Sequence, residues 1–131
     1  MTTVDDADSR TFEAVILLYL ACSKLPDDEL SEAEAERILV LAHRHTAGLA
    51  PSYADRVVQG VAAELAELSD VDTRLARVAQ AAELIGRTLS VDAKEALVDE
   101  LRSIARADGT VTPGERDFVR AVAQTFGLDP D

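Results

Sequence analysis

The stretch AVILLYLAC at positions 14–22 constrains the fold most, because its consecutive apolar residues leave no polar face. A membrane-spanning helix needs about 20 apolar residues in a row, and the chain has no run of that length. The stretch therefore predicts a central helix that other elements cover on all sides. Pro26 follows closely and is expected to end this helix, which we place at about Arg10 to Leu25. Cys22 is the single cysteine, so an internal disulfide is excluded and a buried core role is expected.

The rest of the chain carries further amphipathic helical patterns. Apolar residues recur at spacings of three and four, and no stretch alternates with period two. A chain of 131 residues is long enough for one domain with a real core. We therefore expect an all-α, single-domain bundle of about six or seven helices over residues 10–128. A flexible acidic N-terminus at 1–9 and a short tail at 129–131 are expected to flank it.

Several residues mark the predicted helix ends. The starts are marked by Ser31, Pro51, Ser90 and Thr112, and the ends by Gly48 and Gly127. Ser31 with Glu34, and Thr112 with Glu115, have the spacing of a capping box. The predicted fourth helix carries its apolar face on Val71, Leu75, Val78, Ala82 and Ile85.

The helical pattern also repeats itself at an offset of 81 residues. This offset places Asp27 on Asp108, Leu30 on Val111, Ser31 on Thr112, Glu34 on Glu115 and Ile38 on Val119. Each unit is a helix, an acidic turn, a capping box and a second helix. The sequence therefore predicts an internal duplication of helix–acidic turn–helix hairpins, which would tend to pack as a pseudo-symmetric pair with the two turns close together.

The second turn, RADGTVTPGERDF at 106–118, has features of a calcium loop. Asp108, Gly109 and Glu115 match the fifth, sixth and twelfth EF-hand positions, but the first and third fall on Ile104 and Arg106, which cannot be ligands. Two incomplete turns could instead share one cation. The candidate ligands are Asp27, Asp28, Glu34, Asp108 and Glu115. Oxygen ligands of this kind favour calcium, magnesium or manganese. Helix-start signals alone explain Gly109, Thr112, Pro113 and Glu115 but explain Asp108 less well, so both interpretations stay open.

The formal net charge of −12 limits the classes of partner. A field of this sign repels nucleic acid, anionic membranes and oxyanion substrates, and it favours divalent cations or basic proteins. Lys24 and Lys94 are the only lysines, and an acidic, lysine-poor surface is also typical of a high-salt cytoplasm. The acidic first residues lack the basic start of a secretory signal, so we expect a cytoplasmic protein.

Few residues suit catalysis. His43 and His45 are two apart, so they point to roughly opposite sides of a helix and would not share a zinc ion. The sequence contains no glycine-rich phosphate loop. These patterns assign no catalytic or cofactor-binding residue, and they leave a metal-dependent hydrolase as a remote alternative.

The segment SIARADGTVTPGERDFVRAVAQTFGL at 103–128 resembles the tellurite-resistance TerB family. The resemblance is carried by Ala107, Asp108, Gly109, Val111, Thr112, Glu115, Phe118 and Val119. Residues 14–46 resemble the family's N-terminal copy, although Asp28 stands where that copy has glycine. Similar helical domains precede J-domains in some cochaperones. The resemblance implies a duplicated all-helical domain, a bacterial cytoplasmic protein and a role in stress responses to tellurite, metals or phage.

The resemblance also implies an interaction module without established catalytic activity. We therefore expect a non-enzymatic TerB-like module that binds a protein partner, with no nucleic acid and no membrane insertion. The alternative is a divalent-cation sensor or buffer that uses the two acidic turns. The sequence leaves the oligomeric state open.

Overall fold

The computed structural model describes residues 6–24, 32–45, 51–68, 70–107, 109, 111 and 113–128, which form six helices and no strand. The helices are α1 (Asp6–Lys24), α2 (Glu32–His45), α3 (Pro51–Glu67), α4 (Val71–Thr88), α5 (Val91–Ala105) and α6 (Pro113–Thr125). The predicted all-α bundle is therefore confirmed. Within these ranges, no helix combines the length and the hydropathy that a membrane crossing requires.

Helix α1 forms the centre of the bundle. It packs against each of the other five helices, and every residue from Ala14 to Cys22 is at most 5% exposed. The Cys22 thiol is buried with its Sγ 3.7 Å from the carbonyl oxygen of Leu101. The predictions of a central helix and a buried cysteine are both confirmed.

The start of α1 differs from the prediction. The helix begins at Asp6, so residues 6–9 are helical although the sequence assigned them to a flexible segment. Asp6 and Asp8 lie in the first turn of this helix, and acidic residue types are common in first turns. An acidic sequence is also typical of a flexible tail, so acidity alone did not locate the helix start.

The helices pair in a way that suits the predicted hairpins. Helix α1 packs on α5, α2 also contacts α5, and α6 also contacts α1. The first helix of each predicted hairpin thus touches both helices of the other. This packing is compatible with a pseudo-symmetric pair, and the duplication itself stays a prediction.

Local signals mark helix boundaries at three sites, of which Ser90 and Gly127 were predicted. The Oγ of Ser90 accepts a hydrogen bond from the backbone N–H of Ala93 at 3.2 Å, which confirms the predicted N-cap. Gly109 and Gly127 have φ values of 87° and 76°, in the left-handed region. At Gly127 the chain closes α6 with bonds from its own N–H to Gln124 O and from Leu128 N–H to Ala123 O, which form a Schellman motif.

The predicted apolar face of α4 is wrong at Leu75. Val78, Ala82 and Ile85 are buried as predicted, but Leu75 is 48% exposed. The residues near it in the first turn, Asp72 and Thr73, are exposed as well. The spacing of apolar residues indicates which side of a helix faces the core. It does not indicate how far along the helix the neighbouring helices extend to cover that side.

Candidate functional site

The predicted cation ligands are placed only in part. Asp27, Asp28 and Asp108 lie outside the described residues, and so does the side chain of Glu34. Glu115 lies in the first turn of α6 and is 4% exposed, which makes it a buried carboxylate at the favourable end of a helix dipole. Among the described side chains, no three His, Cys, Asp or Glu residues are grouped to hold a metal ion. The shared cation site therefore stays a prediction.

A polar cluster that the sequence analysis did not predict lies where α1, α2 and α5 meet. The hydroxyl of Tyr19 in α1 donates a 2.7 Å hydrogen bond to Oε1 of Glu100 in α5. Tyr19 is fully buried, whereas the side chain of Glu100 is 12% exposed. This carboxylate thus satisfies a polar group that the central helix brings into the core.

Helix α2 adds the third member of the cluster. Nε2 of His45 lies 3.0 Å from Oε1 and 3.1 Å from Oε2 of Glu100. The imidazole ring also lies beside the ring of Tyr19, with 6.4 Å between their centroids. His45 is 41% exposed, so the cluster runs from the buried phenol to the protein surface.

The surroundings keep Glu100 ionised. Burial alone would raise its pKa, but the hydrogen bonds from His45 and Tyr19, together with the charges of His45 and Arg44, outweigh burial and lower the pKa of this carboxyl. Nearby, Nε of Arg37 donates to the hydroxyl of Ser103, which joins α2 to α5. The cluster is therefore a charged, hydrogen-bonded junction between three helices.

The same surroundings hold the proton on Tyr19. Burial, and next the neighbouring charge of Glu100, raise the pKa of the phenol far above its ordinary range. A phenol in this state donates a hydrogen bond but does not act as a nucleophile or a general base near neutral pH. Glu100 contacts His45 in the way that a carboxylate orients a histidine acting as a general base. Tyr19 keeps its proton, so it is not a nucleophile that this pair could activate. The geometry favours a structural junction.

The two histidines bind carboxylates on different helices. Nε2 of His43 lies 3.1 Å from Oδ1 of Asp55 in α3, whereas His45 contacts Glu100 in α5. This result agrees with the prediction that residues two apart on a helix face different sides. The two histidines therefore lie in separate contacts and are not positioned to bind the same metal ion.

A surface groove between α1 and α3 is the second feature, and we call it the acidic groove. Its volume is about 430 Å³, and it is lined by Glu13, Tyr53, Arg56, Val57, Gly60, Val61 and Glu64. The ring of Tyr53 stacks on Phe12 of α1 at a centroid distance of 5.7 Å. At Gly60 an added Cβ would meet no atom within 4 Å, so the groove reaches the backbone of α3.

Carboxylates stand at both sides of the acidic groove. Glu13 is exposed on α1. Glu64 on α3 is 44% exposed and accepts a 2.8 Å bond from Nε of Arg77. Arg56 places its Nε 3.4 Å from the carbonyl oxygen of Ser52. The groove thus combines the exposed Glu13, the Arg77-paired Glu64, a lining arginine, an aromatic ring and open backbone. Its two carboxylates and its ring can contact a cationic side chain.

The comparisons agree with this architecture. A family model described as "Tellurite resistance protein TerB" matches residues 13–131, nearly the whole chain. A comparison with curated proteins and one with solved structures gave no match. The matched range includes all of α2 to α6 and the buried part of α1. It therefore includes both the polar cluster and the acidic groove. The chain therefore belongs to the TerB family.

Proposed function

We propose that this protein is a non-enzymatic TerB-like interaction module, which works in the cytoplasm in the response to tellurite or a related stress. Its acidic groove binds a basic segment of a protein partner. The observation that carries this proposal is the pair of accessible carboxylates, Glu13 and Glu64, on either side of an open groove with an aromatic wall.

Charge supports this choice of partner. The net charge of −12 attracts basic proteins from a distance and raises their association rate. Within the groove, a lysine or arginine side chain can place its cation between the carboxylates and its aliphatic stem on Val57 and Val61. The face of Tyr53 offers an additional cation–π contact.

The described polar groups support a binding role over a catalytic one. Tyr19 keeps its proton, and Glu100 accepts hydrogen bonds from both Tyr19 and His45. Cys22 is buried against the backbone of α5, where an incoming substrate would not reach it. The groups that most resemble catalytic residues thus hold the helices together.

A titration with a short arginine- and lysine-containing peptide tests the acidic groove. Backbone amide NMR signals from α1 and α3, including that of Gly60, should shift in a saturable way. Replacing both carboxylates (Glu13→Gln with Glu64→Gln) should weaken binding about 2- to 30-fold, because each of the two exposed charge pairs contributes about 0.2–1 kcal/mol.

The matched control removes the same charge elsewhere. Glu36 on α2 and Glu83 on α4 are exposed and lie outside the groove, so the double variant Glu36→Gln with Glu83→Gln should bind within about twofold of the unaltered protein. Equal weakening by both double variants would show that only the overall charge attracts the peptide, and the groove would lose its assigned role.

A second candidate function is divalent-cation binding by the two acidic turns. The observation that favours it is the buried carboxylate of Glu115, one of the five predicted ligands. In this proposal Asp27, Asp28, Glu34 and Asp108 supply the other oxygen ligands to calcium, magnesium or manganese.

Thermal unfolding of chelator-treated protein tests the cation proposal. At matched ionic strength, one cation should raise the midpoint more than the others, because binding to the native state stabilises it by about 1.4 kcal/mol at ten times Kd. The double variant Asp27→Asn with Asp108→Asn should lose that rise. A uniform response to all four of calcium, magnesium, manganese and zinc would indicate charge screening and would remove the cation function.

A further inference from the structure

A groove between α5 and α6 differs in charge from the rest of the protein, and we call it the arginine groove. Its volume is about 240 Å³, and it is lined by Arg102, Ala105, Arg106, Val111, Arg116, Val119 and Arg120. All four charged residues that the structure describes in this lining are cationic, although acidic residues outnumber basic ones 25 to 13 in the chain. The sign of the groove therefore opposes the sign of the whole molecule.

The arginines form two pairs with helical spacing. Arg102 and Arg106 lie at the end of α5, and Arg116 and Arg120 lie on α6. Like charges four residues apart destabilise an isolated helix. On α5 the negative end of the helix dipole offsets this repulsion. On α6, Arg116 lies near the opposite, positive end of its helix dipole and receives no such compensation.

Arg116 is the least favourably placed of the four. It lies at the fourth position of α6, close to the positive end of the helix dipole, where a cation is disfavoured. Its side chain is exposed and forms no ion pair within the described part of the chain. A bound anion would compensate both the dipole and the neighbouring arginines.

One carboxylate reaches the edge of the arginine groove. Oδ1 of Asp99 lies 3.1 Å from Nη1 of Arg102, but the Asp99 side chain is 76% exposed and is not part of the lining. Nε of Arg106 lies 3.3 Å from the carbonyl oxygen of Arg102, so its charge is not neutralised by that contact. Among the described residues, Arg106 and Arg116 therefore keep positive charges that no carboxylate pairs with.

The apolar part of the lining limits the kind of anion. Ala105 and Val119 are buried and Val111 is partly buried, so a hydrocarbon body can lie against them. Guanidinium groups bind carboxylate and phosphate through paired, charge-assisted hydrogen bonds. A volume of about 240 Å³ is below the usual range for drug-sized ligands and suits a compact molecule.

We propose that the arginine groove is a binding site for a compact small molecule that carries two or more oxyanionic groups, carboxylate or phosphate. The arginines of α5 and α6 hold these groups from opposite sides, and the apolar lining contacts the body of the ligand. This site is separate from the acidic groove and does not depend on the proposed partner.

Two probes test the site: inorganic pyrophosphate and the tricarboxylate tricarballylate. The protein is first treated with a chelator and dialysed, so that removal of a bound cation cannot produce the signal. Each probe is titrated at constant ionic strength while the arginine Nε–Hε signals and the Gly109 amide are followed by NMR. We expect saturable shifts confined to α5 and α6 with at least one probe, and the preferred probe identifies phosphate or carboxylate as the ligand group.

Variants decide whether the groove is responsible. The double variant Arg106→Gln with Arg116→Gln should bind the preferred probe at least about tenfold more weakly, and the single variant Arg116→Gln should show part of that loss. Arg10→Gln with Arg87→Gln makes the same charge change at exposed positions outside the groove and should bind within about twofold of the unaltered protein. Shifts that do not saturate, or equal losses in the two double variants, would overturn the proposal.

Discussion

Replacing Leu101 by alanine should lower the free energy of unfolding by about 2–5 kcal/mol, because the truncation opens a cavity in a closely packed interior. Leu101 is fully buried on α5, and its carbonyl oxygen contacts the thiol of Cys22 in the central helix. Urea unfolding followed by circular dichroism measures this change, with the slope of the transition expected to stay the same.

Val91 provides the matched control on the same helix. It is 56% exposed, so Val91→Ala should change the free energy of unfolding by no more than about 0.5 kcal/mol. If Leu101→Ala were as mild as Val91→Ala, the α1–α5 contact would not be part of the tightly packed core, and the architecture described above would need revision.

Stability should also fall steeply in alkali, and Tyr19 should be the cause. The unfolded chain loses the phenolic proton near pH 10, whereas burial raises the pKa of Tyr19 so far that the folded protein keeps the proton. The unfolded state then binds fewer protons than the folded state, so the free energy of unfolding falls as pH rises. Each pH unit above 10 should cost about 1.4 kcal/mol.

The variant Tyr19→Phe isolates this effect. At pH 7 it should be less stable by about 0.5–1.5 kcal/mol, because the hydrogen bond to Glu100 is lost. Above pH 10 the order should reverse, since phenylalanine has no proton to lose. The chain has only one other tyrosine, Tyr53, and only two lysines, so few other groups titrate in this range. Parallel pH profiles for the two proteins would contradict the assignment of the alkaline loss to Tyr19.

Much of the fold could be predicted from local patterns. The apolar run at 14–22 predicted the central helix, and Ser90 and Gly127 marked helix ends that the structure confirms. Boundaries were predicted less well. The helical start at Asp6 was missed because acidic residues suit both a helix N-terminus and a flexible tail, and the exposure of Leu75 depends on packing between helices.

The polar cluster and the arginine groove could not be predicted in the same way. Tyr19 and Glu100 are 81 residues apart, and only the packing of α1 on α5 brings them together. This separation equals the offset of the predicted repeat, which was the one sequence signal that could have paired them. Net charge also carries no information on local charge. A total of −12 predicts repulsion of oxyanions, but binding depends on local charge, and four arginines on two helices face one groove.

The central position of α1 has a consequence for how the protein is made. A ribosome synthesises this helix before any of the five helices that cover it, at about 5–20 residues per second. Between the completion of α1 at Lys24 and the start of α6 at Pro113, roughly 5–20 s pass with part of the apolar surface of α1 uncovered. During that interval the nascent chain exposes apolar surface, which chaperones bind and which carries a risk of aggregation. A ribosome-bound fragment ending before α5 should bind such a chaperone, and the complete chain should release it.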